Sequence, residues 1–433
     1  MGRSRISSPH VRGNLQTVTA DKPLTRWAGG QLVQKALDIL GINTILAELG
    51  IQSRGYDPAA VVLNFVLGAW MKVSSVMALA HEAARDGLIA KIGAPAHRTT
   101  LTRKLSLKRF DWATMYRRLA YACWKTLAIH PNATVALVID DTTIEKYGKK
   151  MDGASWVYDS SQKKRVWGYN IVTAALVAEG HRVVVDFAIW QKNGPTKYAL
   201  ALEIIRRLRE AGIKFDLVLF DGWYGRSKDF LNALPTFWVT RLGEDMVVEV
   251  GDRRITVKEL IGQTQEHPGW LRVHRAHPNT KYRTVRAYLP EYGDVTLVVV
   301  HDRWDQEAPY RVLAANDPRM QGLGVINFYL LRWEIENIHR EAKSQLGLAN
   351  FHVQKLHAIE GHIAFTFTAM LVAALLHRYG PTLQETGITA IRRMVIAIAA
   401  CVTGKRRLRL QLDESDRETL ETIGRALEAL AVG

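Results

Sequence analysis

At 433 residues the chain exceeds the size that one hydrophobic core ordinarily serves, so two or three domains are expected. Its composition, 48% hydrophobic and 23% charged, excludes a disordered chain, and a net charge of +16 points to a polyanionic partner. The excess is concentrated, because residues 1–130 hold 18 Lys or Arg against 7 Asp or Glu, +11 of the total.

Cys123 and Cys401 are too few for a disulfide framework or a zinc ribbon, so a reducing compartment is expected. The N-terminus, MGRSRISSPHVRG, has no apolar signal core, and the uncharged run 363–376 is 14 residues, short of the roughly 20 that a spanning helix needs. A cytoplasmic protein with a buried apolar helix, and no membrane contact, is the expectation.

A polar, basic arm is expected over residues 1–25. Helical periodicity follows at 31–49, after Asp57-Pro58, at 74–92 and at 112–129. Between them, 95–107 reads as a turn into a basic helix, with Arg98, Arg103, Lys104, Lys108 and Arg109 within twelve residues. This suits the second half of a helix-turn-helix facing DNA, or equally a solvated basic helix. Residues 1–130 thus make an all-helical, basic domain.

Beyond Pro131 the period shortens to two. Strands are expected at 133–140, 166–177, 182–190, 215–221 and 236–241, with helices at 198–211 and 227–234: a mixed five-stranded α/β sheet with flanking helices. Strand-like runs at 246–250, 270–275, 283–289, 295–301 and 310–315 form a β-rich insertion over 242–323. Helices resume at 324, so 131–241 and 324–380 make one core, with a C-terminal region over 381–433. That region holds an edge strand at 405–412 and a helix at 415–430.

The first strand ends in Asp140-Asp141-Thr142 and the fourth in Asp221-Gly222-Trp223-Tyr224. Ligand and catalytic groups of open sheets gather beyond the carboxyl ends of strands. A third carboxylate, Glu336, lies in YLLRWEIENIHREAK, where Tyr329, Arg332, Glu336 and Lys343 recur at helical steps of three, four and seven. Cations around one carboxylate suit a phosphate backbone as well as an ion-paired surface. Three carboxylates without His or Cys at ligand spacing fit Mg²⁺ or Mn²⁺, two ions held by Asp140, Asp221 and Glu336. Adjacent strand residues face opposite ways, so Asp140 and Asp141 cannot both serve equally; the D-x-T spacing and the end of the apolar run favour Asp140. His267, His274, His277 and His301 match no common zinc spacing. Lys163, Lys164 and Arg165 suit phosphate or a solvated charge run equally, and no GxxxxGK[ST] loop calls for a nucleotide cofactor.

These residues resemble the cut-and-paste DDE transposases of bacterial insertion sequences, in the group with a Tyr-(2)-Arg-(3)-Glu-(6)-Lys signature, here Tyr329, Arg332, Glu336 and Lys343. The resemblance covers about 130–380 in motif and order; over the N-terminal helices it rests on placement and charge. It implies an RNase H-like core, a bacterial protein acting at the nucleoid, and double-stranded DNA partners, both transposon ends and target. It also implies strand transfer through a hairpin, with Tyr329, Arg332 and Lys343 holding the DNA end and Trp304 or Tyr310 available to stack on a flipped base. Synapsis of two ends implies a homodimer. The rivals are an RNase H-like nuclease without strand transfer and a non-catalytic end-binding protein.

Overall fold

The computed structural model describes residues 24–379, save 26, 53–54, 87, 109 and 303–308, together with 388–395, 399–403, 408–411 and parts of 422–429. Most of the expected N-terminal arm and C-terminal helix, and both Arg109 and Trp304, lie outside these described residues.

After a short β1 (Leu24–Thr25) come α1 (Gly30–Ile39), α2 (Ile42–Glu48), α3 (Pro58–Trp70), α4 (Val76–Arg85), α5 (Ile89–Ile92), α6 (Arg98–Ser106) and α7 (Trp112–Thr126). The helix expected at 31–49 is two helices, because Gly41 takes a left-handed conformation at φ +74° between them. The start of α3 follows its local chemistry: the Asp57 carboxylate accepts the Ala59 N–H, with Pro58 in the first turn.

The sheet is built from β2 (Ala136–Glu145), β3 (Ser155–Asp159), β4 (Lys164–Ala178) and β5 (His181–Trp190), then α8 (Lys197–Glu210), β6 (Leu217–Phe220), α9 (Lys228–Ala233) and β7 (Phe237–Leu242). The next segment contributes β8 (Val247–Val250), β9 (Arg253–Thr256), α10 (Val257–Glu266), β10 (Arg272–Val273), β11 (Thr280–Leu289), β12 (Gly293–Asp302) and β13 (Tyr310–Ala315). The chain continues with α11 (Gly322–Leu331), α12 (Trp333–Gln345), α13 (Leu356–Tyr379), α14 (Ile388–Val395), β14 (Ala399–Thr403) and β15 (Leu408–Gln411).

Among the described residues the large sheet has twelve strands rather than five. Along it run β3, β4, β2, β6, β7, β13, β12, β11, β8 and β9, with β5 also on β4 and β10 on β11. Strand β2 pairs antiparallel with β4 and parallel with β6, and β6 parallel with β7. The insertion joins this sheet, since β13 pairs antiparallel with β7 from Val312 opposite Leu242 to Ala315 opposite Val239. An apolar β7 would otherwise present an open edge. The whole is a mixed α/β fold consistent with an RNase H-like arrangement. Strands β1, β14 and β15 form a separate small sheet.

Helix α13 is 24 residues long and apolar enough to cross a membrane, yet most of its apolar stretch, 78%, is buried inside the protein. It is the central core helix. Phe365 stacks on Phe65 of α3 at 4.8 Å and meets Trp112 of α7 at 5.1 Å, while Phe367 meets Phe187 of β5 at 5.7 Å. Gly361 permits this approach, because a Cβ there would lie 2.6 Å from Leu105. The N-terminal helices and the sheet therefore share one continuous hydrophobic core.

Candidate active site

Strand β2 does not end at Asp140 as expected. It runs to Glu145, because β4 accompanies it that far while β6 stops at Phe220. Ile139 lies level with Phe220, so Asp140 and Asp221 follow side by side at the carboxyl edge of the parallel pair. Thr173 of β4 lies opposite Asp140, and its hydroxyl meets His339 Nε2 of α12 at 2.6 Å. The face of β2 that carries Asp140 is thus the face covered by α12, the helix bearing Glu336.

Asp141 has other partners. Its carboxylate accepts from Lys197 Nζ at 2.8 Å and from the Asn170 amide at 2.5 Å, on the side of the strand shared with Thr143. Asp221 is fixed by the N–H groups of Trp223 and Tyr224, at 3.1 and 3.2 Å.

The expected continuous helix through 329–343 is divided, α11 ending and α12 beginning at Arg332. The buried Arg332 guanidinium links the acidic groups: Nη1 is 3.5 Å from Asp140 Oδ2, and Nη2 donates to Glu336 Oε1 at 2.6 Å. Burial, and then the charges of Asp221 and Asp141, push the Asp140 carboxyl up to about 8, with Arg332 offsetting only part of this. Asp221 is raised as well, by burial and by Asp141, against the lowering effects of the Tyr224 N–H and Arg332. Arg332 itself is held charged, since Tyr329, Glu336 and Asp140 outweigh the opposing effect of its burial.

Two neighbouring carboxylates that resist joint ionisation, both oxygen donors, have the chemistry of a hard divalent-cation site. The guanidinium stands where such charge is called for. Among the described residues no three His, Cys, Asp or Glu side chains converge on one ligand point, and Glu336 is hydrogen-bonded by Arg332. Helix α12 is anchored from β5 by Arg182, which donates to Glu334 at 3.0 Å and to Glu341 at 2.8 Å. Sequence reading missed Arg182, Lys197 and Asn170, for nothing local marks partners 152, 56 and 29 residues away.

The remaining expected residues divide. Lys343 lines a cleft of about 1250 Å³ with Asp140 and Asp221, and burial holds its ammonium below the usual lysine range. Tyr329 is buried, lines a separate hollow of about 280 Å³ beside the insertion, and has the Arg332 guanidinium 5.4 Å from its ring centre. Tyr310 stacks on His301 at 4.4 Å. On α6, Arg98 and Arg103 are exposed, but Lys104 turns into the fold and is buried, which corrects its expected place on a DNA-facing surface. The exposed Trp333, unremarked in the sequence, adjoins Arg332, whose guanidinium lies 5.6 Å from its ring centre.

A mixed sheet with acidic groups gathered at the carboxyl edge of its parallel strands, covered by a helix bringing a further Glu, defines an α/β protein with an acidic site where such sheets place their catalytic groups. The family described as DDE superfamily endonuclease matches residues 74–307, more than half of the chain, and the chain belongs to it. The match includes Asp140 and Asp221 and ends before Glu336. Over 250 residues the chain is 25% identical to the probable transposase for insertion sequence element IS701 of Microchaete diplosiphon, a stretch covering 53% of this chain. The chain spans 62% of the length of that relative. Enzymes of the DDE superfamily use divalent metal ions.

Proposed function

We propose that this protein is an insertion-sequence transposase that cuts DNA at the element's ends and joins the freed 3′-hydroxyls to target DNA. The observation carrying the reading is the registration of Asp140 beside Asp221, with Arg332 bridging from Asp140 to Glu336. Asp140, Asp221 and Glu336 would hold two divalent ions, Mg²⁺ or Mn²⁺, which when bound activate an attacking oxygen and neutralise the leaving one.

The chain's own groups prepare that site. The Trp223 and Tyr224 N–H groups orient Asp221, and Lys197 pairs with Asp141 beside it. Arg332 offsets part of the charge cost at Asp140, 3.5 Å away, and its hydrogen bond to Glu336 ties α12 to the edge of the sheet. Lys343 offers a cation to phosphate within the same cleft. The Tyr-Arg-Glu-Lys signature supports a hairpin step at the DNA end, and synapsis of two ends supports a homodimer. Exposed Arg98 and Arg103 on α6 would hold end DNA.

The test is Asp221→Asn assayed on DNA taken from either side of the coding frame, where this reading expects terminal inverted repeats. Mg²⁺-dependent cleavage should be abolished while end binding is retained; a variant that cuts at the wild-type rate removes Asp221 from the site. Product gels with the unaltered protein separate hairpin and joined products from the simple nicks of a nuclease lacking strand transfer.

A further inference from the structure

The cleft holding Asp140 and Asp221 extends away from them to the β3–β4 hairpin. Strand β3 alternates buried and exposed along Ser155–Asp159, so Trp156 and Tyr158 both point outward, 63% and 59% exposed. Trp156 lies opposite Trp167 and Tyr158 opposite Arg165, which extends the same face onto β4. The two indoles meet edge to face at 6.0 Å, and Trp167 Nε1 donates to the Gly148 carbonyl.

The basic run flagged in the sequence, Lys163, Lys164 and Arg165, is exposed at the end of this hairpin. The turn is held firmly. Asp159 accepts from the Ser161 N–H and hydroxyl and from Gln162, and these bonds hold its carboxyl low against the opposing effect of burial. Lys163 is left-handed at φ 53°.

Large exposed aromatics in a patch mark an interaction surface. Protein interfaces deplete lysine at their centres, whereas a row of rings flanked by cations and leading to phosphodiester-cutting carboxylates suits nucleic acid. Duplex DNA hides its base faces within the stack, so only unpaired bases can lie on Trp156 and Tyr158. We infer that the β3–β4 hairpin is a stacking platform for single-stranded DNA next to the cut, with Lys163, Lys164 and Arg165 holding its phosphates. This rests on reading the cleft as the DNA-cutting site.

The experiment compares the full-length protein with Trp156→Ala/Tyr158→Ala by fluorescence anisotropy, using a labelled oligothymidine and a labelled duplex in a metal-free buffer. Single-strand affinity should fall roughly ten- to hundredfold, since each base–ring stack contributes substantially, while duplex affinity stays within about twofold. Trp156→Phe/Tyr158→Phe should restore most of the loss. An equal loss on both probes, or none on the single strand, overturns the inference. So does sedimentation showing that the Ala variant loses a self-association while still binding oligothymidine as before. Unaltered thermal melting of the Ala variant keeps the comparison valid. No cleavage is required, so the outcome is separable from the transposase reading. Strand discrimination without cutting leaves the platform standing, and cutting without discrimination removes it.

Discussion

Arg332 carries the tightest constraint at the level of single residues, because one planar group reaches two carboxylates in different directions. An ammonium is a compact charge on a flexible stem and cannot form that fork. Arg332→Lys should therefore lower cleavage by about a hundredfold, the scale expected when a reacting group is misplaced by an ångström, with end binding nearly unchanged; parallel cleavage and anisotropy titrations check this. Loss of binding greater than loss of cleavage would make Arg332 a backbone contact. A second prediction concerns buried imidazoles. Burial pushes His339 down to about 3, with Lys343 adding to it, and burial pushes His362 down to about 4, each against an ordinary value near 6.5. The folded state keeps both neutral, so protons bind preferentially to the unfolded chain below about pH 6.5. The stability they contribute is complete above that value and declines as pH falls toward 4 and then 3. The raised Asp140 and Asp221 carboxyls act in the opposite sense, so the check is differential: between pH 7 and 5 the melting temperature of His362→Gln should shift upward relative to that of the unaltered protein. How much of the site was legible also turns on single residues. The D-x-T spacing offered for Asp140 with Thr142 is met again by Asp141 with Thr143, so of the two sequence grounds for Asp140 only the end of the apolar run separates them. Strand register puts them on opposite faces, Asp140 toward α12 and Asp141 toward Lys197, which supports the proposal of Asp140 as the ligand.

Among elements, those with a dominant local signal were readable, and those defined by a distant neighbour were not. The β-branched runs of β2, β4 and β5 announce buried strands, and the Asp57-Pro58 start of α3 announces a helix. Strand β3 was missed because SWVYD presents its aromatics to solvent, which reverses the usual hydrophobic-in pattern. The division at Arg332 was hidden for another reason: its backbone stays in the helical region, so helical spacing persists across the junction. Close contact between elements gives a direct test at Gly168. A Cβ there would lie 2.0 Å from the Ile144 carbonyl oxygen, where β4 crosses the extension of β2. Gly168→Ala should destabilise the protein by about 1–3 kcal/mol, as overpacking does, measured by urea denaturation. On α6, Arg98→Gln/Arg103→Gln should reduce the slope of log affinity against log salt by about 2, near 0.9 for each phosphate contact removed. An unchanged slope would move end recognition away from this helix.

For the whole molecule, the decisive feature is that the basic N-terminal helices and the sheet cannot be parted without opening a core. Helix α13 lies between them, with Phe365 against Phe65 and Trp112 on one side and Phe367 against Phe187 on the other. Polar contacts cross the same boundary. Asp186 of β5, wholly buried, is flanked by Arg207 of α8 at 2.7 Å and Arg117 of α7 at 3.7 Å, and the Tyr116 hydroxyl donates to the Val184 carbonyl. Charge pattern alone made residues 1–130 look like a detachable DNA-binding unit, because composition records how basic a segment is and not what its apolar face covers. Removing residues 1–125 would expose the α3 and α7 sides of α13 and withdraw one of the two cations at Asp186, leaving a buried carboxylate less compensated. The truncated chain should therefore fail to give a cooperative melt and should aggregate, rather than yield a folded catalytic unit with weaker DNA affinity. Circular dichroism melts and size-exclusion chromatography of the truncation check this. A soluble, cooperatively melting truncation that retains Mg²⁺-dependent nicking would show that the sheet holds α13 without the N-terminal helices.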